Sequence, residues 1–358
     1  MKFEANFIFV VCQAGAEATL REEILTNHPE LRLAYSRPGF VTFKCDPENR
    51  PAERFHLKSV LARSYGWSLG KATGNDGREL VKQIVAQDAA KEAASLHVWE
   101  RDRRLPGAGG FEPGVSVLAN QVGQEIVAEI SGVDATRLNR VVNPDEMVFD
   151  VCLVEPNEWW FGYHFATGVA MRWPGGCPIF DTSTEVISRA YFKLKEGLLW
   201  SGLPVEAGDV CAEIGSSPGG ACQLLLEKDC RVIAVDPAEL EEDIAKHENL
   251  THIRRRGHEV KRRDFREAKW LFADISMVPG YTLDTVSAIV EHESVNVKGM
   301  LLTLKLTDWK LTGSVSDWMS RVRSLGFKHV RVRQLAFNRK ELCLFAAKDR
   351  YLLRAGKK

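Results

Sequence analysis

Four side chains in the second half of the chain, Lys193, Asp274, Lys305 and Glu341, set two amines beside two carboxylates, each at the edge of a predicted strand or helix. A lysine inside an apolar strand, as Lys305 is within Leu301–Leu306, meets an environment where a lone charge is costly. Burial and a second cation both push an amine toward its neutral form, so Lys193 is the expected partner that lowers the pKa of Lys305. A neutral lysine can take a proton from a weakly acidic hydroxyl, and Asp274 and Glu341 would orient the amines or the incoming group. Singly, each residue reads as a surface ion-pair partner. Their shared placement at element ends argues for one site.

A second motif lies between the first two. Gly215-Ser216-Ser217-Pro218-Gly219-Gly220 follows a predicted strand and opens a helix, where backbone must pass close to a ligand. It lacks the Gly-Lys-Ser/Thr ending of a phosphate loop and the Gly-x-Gly-x-x-Gly spacing of a dinucleotide site. Some twenty residues on, Val232–Val235 ends at Asp236, placed as acids that accept from ribose hydroxyls are placed. A nucleoside cofactor without pyrophosphate fits both features, and S-adenosylmethionine (SAM) is the candidate. Methyl transfer from it is a direct displacement in which alignment supplies much of the rate.

The elements that must carry these residues are legible in outline. Beyond Thr182-x-x-Glu185, a capping-box pattern opening a helix to about Trp200, short apolar runs alternate with helical segments. This predicts an open, mostly parallel α/β sheet, with Gly215, Asp236, Asp274 and Lys305 at strand ends. The first half reads as strand 7–11, helix 17–26 and strand 40–44, then helix 78–96, an extended run 96–100, helix 123–132 and strands 146–155 and 159–165. Arg172–Pro178, with two prolines and two glycines, is the linker candidate. The expected organisation is therefore an α+β region at 1–70, a second at 71–165, a linker at 166–181 and a Rossmann-like domain at 182–358. Trp159, Trp160, Phe161, Tyr163 and Phe165 fit a core strand better than a base-stacking platform.

Net charge is zero, yet residues 1–180 hold 19 basic and 23 acidic side chains while 181–358 hold 29 and 25. The densest basic run, Arg254–Lys269, carries eight basic and three acidic groups and suits phosphate contacts. The eight cysteines form no Cys-x-x-Cys pair and the nine histidines show no metal spacing, so reduced buried thiols, no metal and a cytoplasmic location are expected. No apolar run approaches the ~18 residues a membrane span needs.

Taken together, Ser188-Arg189-Ala190-Tyr191-Phe192-Lys193-Leu194, the Gly-x-x-Pro-Gly-Gly turn, Asp274, the Leu304-Lys305-Leu306 strand and Arg339-Lys340-Glu341 resemble the FtsJ-type ribose 2′-O-methyltransferases. The similarity is strong over 182–347 and looser over 1–165, and extends to a longer branch that carries an N-terminal THUMP-containing region. The resemblance implies a ferredoxin-like 1–70, a THUMP-like RNA-binding 71–165, and methylation of a cytidine in bacterial large-subunit rRNA or its precursor. It also implies Lys193, Asp274, Lys305 and Glu341 as catalytic residues with Lys305 the proton acceptor. Ser188, Gly215, Ser217, Pro218, Gly219, Gly220, Asp236 and Asp274 would contact SAM. Arg256 stands where the family has an acid for the adenine amine. Two alternatives remain open: a non-catalytic RNA-binding protein on this fold, and a SAM enzyme acting on a base or a protein.

Overall fold

The structure, a computed structural model, describes residues 3–130, 132, 134–181 and 185–349. It divides into two compact units, 1–181 and 182–358.

In the first unit the elements run β1 (Phe7–Val11), α1 (Glu17–Asn27), β2 (Leu31–Arg37), β3 (Phe40–Cys45), β4 (Ser64–Thr73), α2 (Gly77–Val85), α3 (Asp88–Glu92), β5 (Ser95–Glu100), α4 (Val117–Glu129), β6 (Met147–Glu155) and β7 (Glu158–Phe165). All the strands join one sheet in the order β2-β3-β1-β4-β7-β6-β5. Only β5 and β6 run parallel. The boundary expected at 70/71 falls inside β4, which pairs with β1 on one side and β7 on the other. β4 escapes a pattern reading because Gly66 and Gly70, with a bulge opposite β7, interrupt its apolar alternation. β2 is an edge strand whose side chains are nearly all at least partly exposed, so it lacks a buried-strand signal.

The expected helix 78–96 is two helices. Asp76 caps the first by accepting from Arg78 N at 3.2 Å, and the chain turns into β5 at Ser95. α4 starts earlier than expected, at Val117, because Ser116 accepts from Ala119 N at 3.0 Å. Helices α2, α3 and α4 cover one face with a core built on Leu80, Ile84, Leu96, Ile126, Phe149 and Val151. Trp159, Phe161 and Tyr163 are buried.

The stretch expected as a linker is instead a packed part of this unit. Val169–Arg172 and Pro174–Gly176 form 3-10 turns, Trp173 and Cys177 are buried, and Arg63 Nε donates to Gly175 O at 2.9 Å. Proline and glycine here serve tight turns over a core rather than a free tether.

The second unit contains α5 (Ala190–Ser201), β8 (Val210–Ile214), α6 (Gly220–Leu226), β9 (Arg231–Val235), α7 (Glu242–Ala245), β10 (Leu250–Ile253), β11 (Trp270–Ala273), α8 (Pro279–Val290), β12 (Gly299–Lys305), α9 (Val315–Ser324), β13 (His329–Arg333) and β14 (Glu341–Ala347). Its sheet has the order β10-β9-β8-β11-β12-β14-β13. The first five in that order are parallel, and β14 runs antiparallel between β12 and β13. This is the Rossmann-like open sheet expected. The chain order reverses between β8 and β11, which opens a crevice at the carboxyl ends of those strands.

Thr182 lies outside the described residues, and the helix begins later than its pattern predicts. Residues 185–189 are not helical, because Gln223 on α6 holds them: its Oε1 accepts from Ile187 N at 3.0 Å and its Nε2 donates to Glu185 O at 3.2 Å. Among the described residues, no helix is long and apolar enough to cross a membrane.

Candidate active site

Glu341 opens β14 directly opposite Lys305, the last residue of β12, so the antiparallel register places them as a cross-strand pair. Asp274 is the first residue beyond β11, and Lys193 comes from the first turn of α5. These elements bring all four expected side chains together. Lys193 Nζ lies 3.1 Å from Asp274 Oδ2 and 2.8 Å from Glu341 Oε2. Lys305 Nζ lies 2.5 Å from Asp274 Oδ1 and 3.1 Å from Glu341 Oε1. Each amine thus bridges the same two carboxylates in a closed, alternating, charge-neutral ring.

The electrostatics correct one expectation. Burial alone would lower the pKa of Lys305, but Asp274 and then Glu341 outweigh it and hold the pKa above the ordinary lysine value. Lys305 is therefore an ammonium as the ring stands. Burial pushes the Asp274 carboxyl up, yet Lys193 and Lys305 prevail and its pKa is lowered. Proximity of two anions beats the desolvation on which the sequence argument relied.

Three further residues support the ring. Asn338 is buried, donates from Nδ2 to Glu341 Oε2 at 3.4 Å and accepts Leu335 N at Oδ1, 3.0 Å. Glu196, one helical turn beyond Lys193, accepts from Ala336 N at 2.8 Å and Phe337 N at 2.9 Å. The loop leading into Glu341 is thereby fixed to the helix that carries Lys193. A buried-side Glu among the apolar residues of α5, three positions after Lys193, was the available signal for it. Glu213 on β8 is the third. Burial first, and then the Asp274 charge, push its carboxyl well above the usual range. It lines a cavity of about 30 Å³ beneath the ring with Lys193, Asp274, Asn338 and Cys343, room for one water-sized group.

The glycine turn packs beside this ring. Gly215 has φ +85°, and a Cβ there would meet Asp274 O at 2.7 Å; Gly219 has φ +123°. A Cβ on Gly220 would approach Ser188 O to 2.7 Å, and among the described residues Ser188 Oγ has no hydrogen-bond partner although it is buried. Asp236 accepts from Ser217 N at 3.2 Å and Ala238 N at 2.9 Å, one on each oxygen, which leaves further lone pairs. Ser217 Oγ donates to Glu239 O at 2.8 Å, and Glu241 N donates to Pro218 O at 2.9 Å, so both residues brace the turn against the loop after β9. A turn with three glycines, an unpaired hydroxyl and a strand-end acid fit a nucleoside with a charged tail. Arg256 is exposed after β10, with its N–H on Glu259 Oε2 at 3.1 Å. Glu259 is thus an acid beside the position where an acid is absent.

Residues 186–335 match the model of the FtsJ-like methyltransferase family. A ribosomal RNA large subunit methyltransferase M from Hahella chejuensis (strain KCTC 2396) is 25% identical over 386 residues, covering 98% of this chain and 92% of that protein. One of the same name from Halorhodospira halophila (strain DSM 244 / SL1) is 25% identical over 188 residues, 51% of this chain and 54% of that protein. The matched span lies within the second unit, whose sheet order and glycine turn agree with an FtsJ-like methyltransferase fold.

Proposed function

We propose that the protein transfers a methyl group from SAM to a ribose 2′-hydroxyl of RNA, a cytidine in large-subunit rRNA being the expected target. The observation that carries this is the closed ring of Lys193, Asp274, Lys305 and Glu341 beside a glycine cradle at the reversal of strand order. The names of the relatives, one of which spans nearly the whole chain, support large-subunit rRNA as the substrate.

Ser188, Gly215, Ser217, Pro218, Gly219, Gly220, Asp236 and Asp274 would hold the cofactor. Bound there, SAM supplies an electrophilic methyl on a sulfonium. The turn offers backbone rather than side chains, and Asp236 offers acceptors for ribose hydroxyls. Lys305 would receive the proton of the 2′-hydroxyl that accepts the methyl group. To do so it must first give up the proton that Asp274 and Glu341 stabilise, so the productive fraction grows with pH. Lys193 shares both carboxylates and fixes them while that proton moves. Six exposed basic residues, Arg254, Arg255, Arg256, Lys261, Arg263 and Arg266, follow β10, and those nearest the strand lie at the same sheet edge as the cradle, a setting suited to phosphates. The first unit, whose THUMP-like character rests on resemblance, would present the structured RNA.

The test uses unmodified rRNA, labelled SAM and alkaline hydrolysis. Label should remain in an alkali-resistant dinucleotide, because a 2′-O-methyl group blocks cleavage. Label on an ordinary mononucleotide would assign base methylation instead. A folded protein that binds no SAM by calorimetry would favour the non-catalytic alternative.

A further inference from the structure

The first unit contains a buried cluster that the methyl-transfer chemistry does not use. His97 on β5 is the register partner of Asp150 on β6, and His164 on β7 sits diagonally across from Asp150. All three are at most 2% exposed. One ligand atom from each lies within 4.8 Å of the others. They occupy the sheet face opposite α2 and α4.

Both rings are anchored in the same way. His97 Nε2 lies 2.9 Å from Arg140 O, and His164 Nε2 lies 2.7 Å from Met171 O. A carbonyl only accepts, so both Nε2 atoms carry hydrogen and each Nδ1 becomes the free position of a neutral ring. A carbonyl on the far nitrogen is the arrangement that fixes tautomer and orientation in histidine metal ligands. His164 Nδ1 faces Asp150 Oδ2 at 2.5 Å, a contact between two acceptors that requires a proton between them and that must open by under about 1 Å to admit a cation. Among the described residues, His97 Nδ1 and Asp150 Oδ1 have no hydrogen-bond partner. Buried polar atoms in that state call for a water or an ion.

We propose that His97 Nδ1, His164 Nδ1 and Asp150 bind one zinc-class divalent cation inside the first unit. Two imidazoles and one carboxylate match the zinc donor set, and two nitrogen ligands disfavour calcium and magnesium. The second Asp150 oxygen fills the fourth position. The cation takes the place of the proton between His164 and Asp150, which is released to solvent. Because the site is fully enclosed, the ion enters during folding. It then clamps β5, β6 and β7, and through the Arg140 and Met171 carbonyls it fixes two segments that also bond each other, Val142 N to Arg172 O at 3.1 Å and Arg172 Nε to Val142 O at 2.6 Å. The expectation from sequence spacing is that the histidines bind no metal. The ligands come from three strands and have no local spacing to reveal them.

The full chain is unfolded in denaturant with a chelator, refolded with or without Zn²⁺, desalted, and assayed for metal by mass spectrometry and for thermal midpoint. Wild type should retain one zinc per chain and melt higher than the zinc-free sample. His97→Ala and Asp150→Ala should lower retained zinc at least ~10-fold. Wild type that folds but retains no zinc, or variants that retain it equally, would overturn the proposal. Should the variants not fold, wild type refolded with Co²⁺ decides: visible absorption of four-coordinate cobalt is expected, and its absence from folded protein rejects the site.

Discussion

At the scale of single residues, the role proposed for the ring ties methyl transfer to proton affinity in a way that fixes the sign of several effects. Lys305→Ala should lower methyl transfer about 10³-fold while SAM affinity by calorimetry stays near wild type. Lys305→Arg should be equally inactive, since a guanidinium keeps its charge but does not deprotonate. Asp274 and Glu341 raise the Lys305 pKa, so removing one carboxylate lowers it. Glu341→Gln should therefore move the rising limb of the pH–rate profile to lower pH, even if the maximum rate falls. An unmoved limb would show that another group titrates. For stability the signs are opposite for the two partners. Lys305 has a raised folded pKa, so its contribution is complete below its ordinary value of 10.5 and is lost as pH climbs through the raised value. Asp274 has a lowered one, so its contribution is present above 3.8 and is lost as pH falls through the lowered value. Thermal midpoints across pH should show Asp274→Asn with a flatter acid limb than wild type.

At the scale of elements, two attachments decide whether the site is held open and aligned. Gly215→Ala forces a positive φ on alanine and drives a methyl against Asp274 O, so both SAM binding and stability should fall, the latter by at least ~1 kcal/mol. The companion test is Glu196→Ala, which frees the amides of Ala336 and Phe337 about 10 residues or fewer from the ring yet touches none of its members. It should reduce kcat more than SAM affinity, and a SAM affinity that falls in step with kcat would argue against a role confined to the loop. The elements that carry the ring were legible because apolar runs ended in charged residues: Trp270–Ala273 before Asp274, Gly299–Lys305, and Glu341 before Leu342. What periodicity could not supply was long-range. The late start of α5 depends on Gln223, 36 residues beyond Ile187, and the raised Lys305 pKa depends on carboxylates brought in by two other strands.

At the scale of the molecule, the chain is two units with a sheet apiece, and the division of charge follows them. The exposed arginines after β10 belong to the unit that carries the ring. Arg255→Ala with Arg256→Ala should weaken RNA binding across sequences and reduce the slope of log affinity against log salt by about two, with SAM affinity unchanged. An unchanged slope would remove this surface from the RNA path. The first half was read well where strands are buried on both faces, as in β6, and poorly where they are edge strands or carry glycine, as in β2 and β4. Arg172–Pro178 misled because turn-forming residues look alike whether they connect units or close over a core.

β4 gives the first unit a property of inheritance. Its pairing to β1 and to β7 means that the sheet has no seam at which the two halves expected from sequence could part. A fragment beginning at residue 71 would expose much of the bonding edge of β7 and lose the β4 partners of Phe161, Gly162 and Tyr163. RNA recognition, if it resides here, can therefore be transplanted, duplicated or lost only as one cassette from β1 to β7, and homologous exchange between relatives should leave crossovers outside it.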